Sequence, residues 1–557
     1  MADTRASGRT FVVTIASAML LKLWLTSQTR IIALYAPHDN SNFLEHAKNI
    51  AMGLWFGPYD EATLIKQPFF PLYMAGLQEF GIPLPIAHQL FYGLACFVAC
   101  FAIKPLVRSP FFLSAAFVIL YFNPMENDAG SWTTARGQIN STLALLTISC
   151  AIGLYIRRQA ALRITLRWAV ALGISFSAFW LTREEAVWML PALAVLFVFF
   201  MYPVVRPAQW LGVRARLVPI GISVVLWLAA VGSIMFINGT MYGWYTTAEN
   251  MSPEFVSAYD SLARIDPGVA TDPRFPVPHA ARMIAYRVSP AARELASYLD
   301  GPSGVVWQGY GCQFYHACGD IHGGWFIWAF RDSISVAGYY SSGAKARSFY
   351  VRLANEIDTA CDSGKIHCWS KGHTLSPPLK LANVPALGSN TVDAFRIAAT
   401  FEQFIILPPY YVGPASLRPD YDFIVRSVDD GFGVEPAAKD DELKRAILVE
   451  IAHTYEQLFP FWVVLALIAL FARFGALLRH RSHLEHADYV GIAASLLTGI
   501  ISLATVLALV TTLSFPALNP EYMSPLYPVL LLTVLLITAI EAPGLVRYVT
   551  ERLPTKG

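Results

Sequence analysis

The stretch APHDNSNFLEHAKNIAMGLWFGPYDEATLIKQPFFPLY, Ala36 to Tyr73, decides how the rest of the chain is read. It leaves one hydrophobic segment, gathers acidic, basic and aromatic residues, and returns to hydrocarbon through a proline-rich turn. Asn42 followed by Glu45 has the spacing of a helix N-terminal cap, and Phe43, Ala47, Ile50, Ala51 and Leu54 then share one face at helical spacing. The expectation is a helix lying along a membrane surface with Glu45, Lys48 and Asn49 toward water. Asp39, just ahead of that cap, and Lys66, at the far end, would both stand at the mouth of the membrane. An acid and a cation held there suit a substrate with an anionic head and a lipid tail.

Composition supports the membrane. Of 557 residues, 55% are hydrophobic and 14% charged, with mean hydropathy +0.46, far from an average soluble composition. Charge-free windows of about 18 or more residues exclude a merely greasy soluble enzyme. A formal charge of +2 argues against a nucleic-acid partner. Aromatic residues, 14 Trp among them, fit side chains parked at two interfaces. Roughly ten transmembrane helices follow from length and lack of charge. They lie near Phe11 to Tyr35, Leu84 to Ile103, Phe111 to Asn123, Ile139 to Ile156, Trp168 to Leu181, Ala186 to Tyr202, Leu217 to Ile237, Leu458 to Leu470, Val490 to Leu513 and Leu526 to Ile540. Lys22 and Arg30 interrupt the first, either snorkelling or facing the bundle interior.

Lys and Arg cluster on one side of this plan, at Arg5 and Arg9, Lys104 and Arg108, Arg157 to Arg167, Arg206 to Arg216, Arg473 to Arg481, and Arg547 to Lys556. The positive-inside rule makes that side the cytoplasm of an integral inner membrane protein and every other loop extracytoplasmic. The first segment has no small-residue cleavage site and reads as a retained helix. The expected fold is an α-helical polytopic membrane protein with a mixed α/β extracytoplasmic domain. Its parts are an N-terminal transmembrane module over 1–237, the inserted domain over 238–455, and C-terminal helices over 456–557. The insertion carries the aromatic run Gly323 to Phe330, a helical stretch Gly343 to Ala360 with Ala344, Phe349, Leu353 and Ile357 loosely periodic, and an amphipathic segment Val392 to Leu407 that docks on the membrane or on the domain core. Cys312, Cys318, Cys361 and Cys368 all fall in it, whereas Cys96, Cys100 and Cys150 fall in helices. In an oxidising compartment the four favour two disulfides, with Cys312–Cys318 and Cys361–Cys368 the shortest pairing. Cys312, His316, Cys318 and His322 as a zinc set match no standard spacing.

Acids gather on the extracytoplasmic side at Asp39, at Glu126 and Asp128, and at Glu184 and Glu185 beside Arg183. Each abuts the end of an expected helix, so they can converge on one cavity. The bland reading of each is a solvated charge or a structural pair, for instance Arg183 with Glu184.

The order first helix, Asp39 in the first outer loop, surface helix, then Lys66, Gln67, Pro68, Phe69, Phe70, Pro71, Leu72 and Tyr73 resembles the polyprenyl-phosphate-sugar-dependent glycosyltransferases of the GT-C superfamily, aminoarabinose and protein O-mannosyl transferases among them. The resemblance covers about the first 240 residues. Many members have two consecutive acids in the first loop, where this chain has Asp39 followed by Asn40. The resemblance implies an inverting membrane glycosyltransferase of cell-envelope glycan biosynthesis. Asp39 would be its general base and Lys66 its donor-phosphate ligand, with Arg183 or Arg136 a second cation. It also implies that Glu126 and Asp128 help hold magnesium or manganese. Asn519, Pro520, Glu521 and Tyr522 open the last helix on the outside, either closing the donor cavity or forming an ordinary helix-entry turn. The insertion, with Gly243 to Phe255, would recognise a glycan, lipid or protein acceptor or cover the site. Two other classes stay open: a transporter or flippase of lipid-linked glycan, and a non-catalytic envelope assembly protein.

Overall fold

The computed structural model describes residues 2–27, 29–107, 109–201, 210–372, 375, 379–407, 411–426, 439–479 and 487–552. Each of the ten expected segments contains a helix, but in the first, Phe11 to Tyr35, the helix ends at Leu25 and Ala33–Leu34 is a strand. Seven helical stretches are long and apolar enough to cross a membrane: Leu84–Ile103, Gly137–Ile156, Leu162–Trp180, Glu184–Met201, Leu217–Tyr242, Asp441–Arg473 and Tyr489–Leu513. Pro110–Tyr121 and Leu526–Glu541 are apolar but shorter, and the first helix, Ala2–Leu25, carries charge. The chain is an integral membrane protein. Of the basic residues on which the expected orientation rests, Arg108, Arg206, Arg481 and Lys556 lie outside the described residues.

Gly137–Ile156 is the most buried of the seven and packs against Leu84–Ile103 and Leu162–Trp180. A Cβ on Gly153 would lie 2.2 Å from the Trp168 ring, so only glycine lets these helices approach that closely. Lys22 faces the interior. It is fully buried, its Nζ donates to the Tyr121 carbonyl at 2.5 Å, and it lies over the Tyr92 and Tyr121 rings.

The insertion builds a second core from Phe255, Tyr259, Phe326, Phe330, Tyr350 and Leu353, into which the first loop sends Phe56 and Leu64. It is helical, which overturns the mixed α/β expectation. Among the described residues the strands are Ala33–Leu34 and Tyr411–Val412, paired in parallel with each other. The aromatic run lies within the helix Gly323–Val336, because Phe326, Ala329, Phe330, Ser333 and Ile334 are buried at a spacing of three and four. The expected helix from Gly343 runs to Asp362, capped by Ser342, and buries Ala346, Phe349, Tyr350, Leu353, Ala354 and Ile357, with Ala344 exposed. The amphipathic segment is the helix Val384–Thr400, earlier than expected. It packs against the Lys439–Arg479, Ala487–Leu513 and Leu526–Arg552 helices rather than the insertion's core. Cys312–Cys318 and Cys361–Cys368 are disulfides, which removes the proposed zinc set, while Cys96, Cys100 and Cys150 are free and buried.

Candidate functional site

The first loop is pinned at its start. Ile32 N–H donates to the Trp132 carbonyl at 2.7 Å, and Tyr421 Oη donates to the Leu34 carbonyl at 2.9 Å. The surface helix runs Asn40–Ala51 with Asp39 as its N-cap residue. This corrects the expected start at Asn42, which sits in the first turn and donates its Nδ2 to the Ala62 carbonyl at 3.3 Å. Asn49, expected in water, is buried and donates to the Phe56 carbonyl at 3.0 Å. Leu54 lies beyond the helix and is exposed. The Asp39 side chain makes no capping bond. Its Oδ1 instead meets Lys66 Nζ at 2.6 Å.

Lys66 is delivered by a segment stitched to three elements. Glu249 N–H donates to the Leu64 carbonyl at 2.6 Å, and Phe69 N–H donates to the Leu181 carbonyl at 2.9 Å. Between them Gln67 N–H donates to Glu184 Oε1 at 3.2 Å. The Lys66 side chain is 11% exposed and that of Asp39 is 48%, so the carboxylate is the open member of the pair.

Beside this pair lie the residues expected to converge, paired otherwise than their order suggested. Arg136 Nη1 donates to Glu184 Oε2 at 2.8 Å and to the Thr182 carbonyl at 2.9 Å. Arg183 pairs with Glu185 and Glu521, both at 3.2 Å, and stacks 4.2 Å over the Tyr522 ring. The anticipated Arg183–Glu184 pair is replaced because Arg183 is extended and the helical turn begins at Glu184, so neighbouring side chains diverge. Glu521 comes within reach through a close approach: a Cβ on Gly137 would meet Glu521 Cα at 3.3 Å. Asn519 caps that turn by accepting from Tyr522 N–H at 3.2 Å.

Three cations, Lys66, Arg136 and Arg183, thus face four carboxylates, Asp39, Glu184, Glu185 and Glu521. Burial alone would raise the Asp39 carboxyl, but Lys66, with Arg136 and Arg183 behind it, outweighs burial and holds it below the usual carboxylate range.

Glu126 and Asp128 do not join this cluster. Asp128 accepts from Gly130 N–H at 2.8 Å and from Ile405 N–H at 2.9 Å, so both its oxygens hold backbone. Burial still lifts it to about 6. Glu126 is buried and accepts from Ser141 Oγ at 2.6 Å. Among the described residues no group of three or more His, Cys, Asp or Glu is placed to hold a metal. Glu45 is exposed, near the Lys48–Asp420 pair of 2.7 Å and away from the cluster.

Sequence reasoning passed over His38, Gln67, Trp328 and the pairing role of Glu185. His38 stacks on Trp328 at 4.4 Å, and Lys66 Nζ lies 5.0 Å from the centre of that same ring. Adjacency to Asp39 was the one signal for His38; Trp328 was marked only as part of the aromatic run Gly323 to Phe330, with nothing to tie it to Lys66. An apolar cleft elsewhere in the bundle, lined by Tyr155, Phe176, Phe197, Phe200 and Trp227, contains none of these charges.

Fold and site together define an integral membrane protein whose charged centre forms where the first loop meets the bundle and the inserted helical domain. No family model and no curated protein matches the chain. Among solved structures it is similar to ArnT from Cupriavidus metallidurans in the apo state, at 15% identity and TM-score 0.32, covering 99% of this chain and 82% of that one. The same protein bound to undecaprenyl phosphate is matched at 14% identity and TM-score 0.27, with the same coverage.

Proposed function

We propose that the chain is a glycosyltransferase that moves a sugar from a polyprenyl-phosphate donor to an acceptor hydroxyl on the extracytoplasmic side of the membrane. The observation that carries this reading is the 2.6 Å pair of Asp39 and Lys66, beside Arg183 and at the mouth of an apolar bundle. In the reaction the acceptor oxygen bonds the anomeric carbon as the bond from that carbon to the phosphate oxygen breaks. The phosphate leaves with the electron pair, and the acceptor proton passes to Asp39. Lys66 holds the departing phosphate as a point charge.

The Asp39–Lys66 pair supports an order of events in this scheme. While Lys66 is tied to Asp39 the carboxylate is a poor base, so the donor phosphate must take the ammonium first and leave Asp39 the stronger base. Arg183 has one replaceable partner, Glu521, whose side chain is 34% exposed. A phosphate entering a centre already richer in acids than cations raises the proton affinity of the Asp39 carboxylate, which strengthens it as the base for the acceptor proton. Arg136, 2% exposed and committed to Glu184 and Thr182, acts as a positioning residue: it holds the Glu184 carboxylate that fixes Gln67 N–H next to Lys66.

The test is release of polyprenyl phosphate from a polyprenyl-phosphate sugar in proteoliposomes. Asp39→Asn is expected to slow release by about 10²–10⁴ and Lys66→Ala by about 10²–10³. Wild-type rates in both variants, shown to be folded, overturn the proposal.

A further inference from the structure

A second group of side chains leads away from Lys66 across the inserted domain. Trp328 lies beneath both Lys66 and His38, the His38 ring stacking on it at 4.4 Å with 19° between planes. His38 is 5.6 Å from Trp307, and Trp307 is 6.1 Å from Trp325 at a tilt of 41°. One edge of this row is polar. Asp332 Oδ2 accepts from Tyr298 Oη at 3.2 Å and stands 4.0 Å from His38 Nε2, while Trp307 Nε1 donates to Tyr298 Oη at 3.4 Å. Trp328 is buried, Trp307 and His38 are half-buried and Trp325 is 36% exposed, so exposure grows along the row away from Lys66.

Tilted indole faces edged by a carboxylate are the chemistry that takes a pyranose. The axial C–H groups of the sugar meet the electron-rich ring faces, and its hydroxyls donate to the carboxylate. A cationic ligand suits the row less well, because Lys66 already lies over Trp328 and the charge of Arg331 reaches His38. We propose that Trp307, Trp325, Trp328 and Asp332 form the acceptor subsite, that the acceptor is a saccharide with a ring seated against Trp307 and Trp325, and that its hydroxyl passes His38 to reach Asp39. The word acceptor rests on the transferase reading above; saccharide binding does not.

The test therefore needs no turnover. Tryptophan fluorescence of the full-length protein in detergent is titrated with four neutral disaccharides, cellobiose, chitobiose, lactose and mannobiose, without donor. At least one is expected to bind saturably, with affinity weakened about tenfold or more in Trp325→Ala and Trp307→Ala and largely kept in Trp325→Tyr, which retains an aromatic face. Polyprenyl phosphate binding is expected to be unchanged in these variants. Should polyprenyl phosphate fail to bind even the wild type while a disaccharide binds as described, the transferase reading falls and the saccharide subsite stands. The inference is overturned if none of the disaccharides binds the intact protein, if both alanine variants bind as wild type does, or if tetramethylammonium competes for the same tryptophans.

Discussion

Replacing Arg331 by Met should loosen the inserted domain and, through it, the segment that carries Lys66. Arg331 and Glu249 are 1% and 0% exposed. They meet through two parallel hydrogen bonds of 3.1 and 3.0 Å. Tyr350 Oη donates to Glu249 Oε1 at 2.8 Å, and Tyr340 Oη donates to the same oxygen. Arg331→Met leaves that carboxylate buried with hydroxyl partners and no cation, at a cost of about 3–5 kcal/mol. The double variant Arg331→Met, Glu249→Gln removes both charges and should recover most of the loss. At about 1.4 kcal/mol per tenfold, amide hydrogen exchange in the Gly323–Val336 and Gly343–Asp362 helices should lose roughly two to three and a half decades of protection in the single variant. Because Glu249 N–H also holds the Leu64 carbonyl at 2.6 Å, Ile65 to Gln67 should lose protection with it. A loss under tenfold, or a double variant no better than the single one, would refute the reasoning.

Three further outcomes follow from the same geometry. The Asp39 carboxyl is held low by Lys66, so its contribution to stability is present above the ordinary value of about 3.9 and is lost as pH falls through the lower folded value. If donor phosphate draws Lys66 off as proposed, the acid limb of kcat, which reports the bound enzyme, should lie at higher pH than that of kcat/KM; coincident or reversed limbs contradict the exchange of partners. Under non-reducing conditions alkylation and mass spectrometry should find Cys312, Cys318, Cys361 and Cys368 blocked, and Cys361→Ser with Cys368→Ser should cost roughly 2 kcal/mol in denaturant melts. Asp128→Asn can keep only one of the two backbone bonds to Gly130 and Ile405, so a loss of about 1–2 kcal/mol with faster exchange at Ile405 is expected; an unchanged melt would show that the carboxylate does not brace this loop.

How much of this was legible in the chain varies with the range of the interaction. Hydrocarbon-length apolar runs announce themselves locally, and each of the ten expected segments contains a helix, although the first ends at Leu25. The meeting of Asp39 with Lys66 was also readable, because both flank one short surface helix whose ends a membrane would hold at one level. Arg183 was another matter: its partners Glu185 and Glu521 are set by extended backbone at residue 183 and by a turn 338 positions away, and a linear reading pairs it with its neighbour instead. The insertion misled for a related reason. Aromatic residues favour strands only as surfaces to be packed, and here Phe326 and Phe330 pack on one face of a helix. Asn42 looked like a cap by spacing alone, but the helix begins earlier because the loop before it is tied to Trp132 and Tyr421, contacts no local pattern encodes.

The most direct measurement of the central claim is the affinity of polyprenyl phosphate for Lys66→Ala and Asp39→Asn, read together with sugar transfer. If Lys66 is the phosphate ligand and Asp39 its competitor, Lys66→Ala should bind at least tenfold more weakly, while Asp39→Asn should bind as tightly as wild type or more tightly and yet transfer sugar about 10²–10⁴ more slowly. Weaker binding in Asp39→Asn with transfer intact would contradict it.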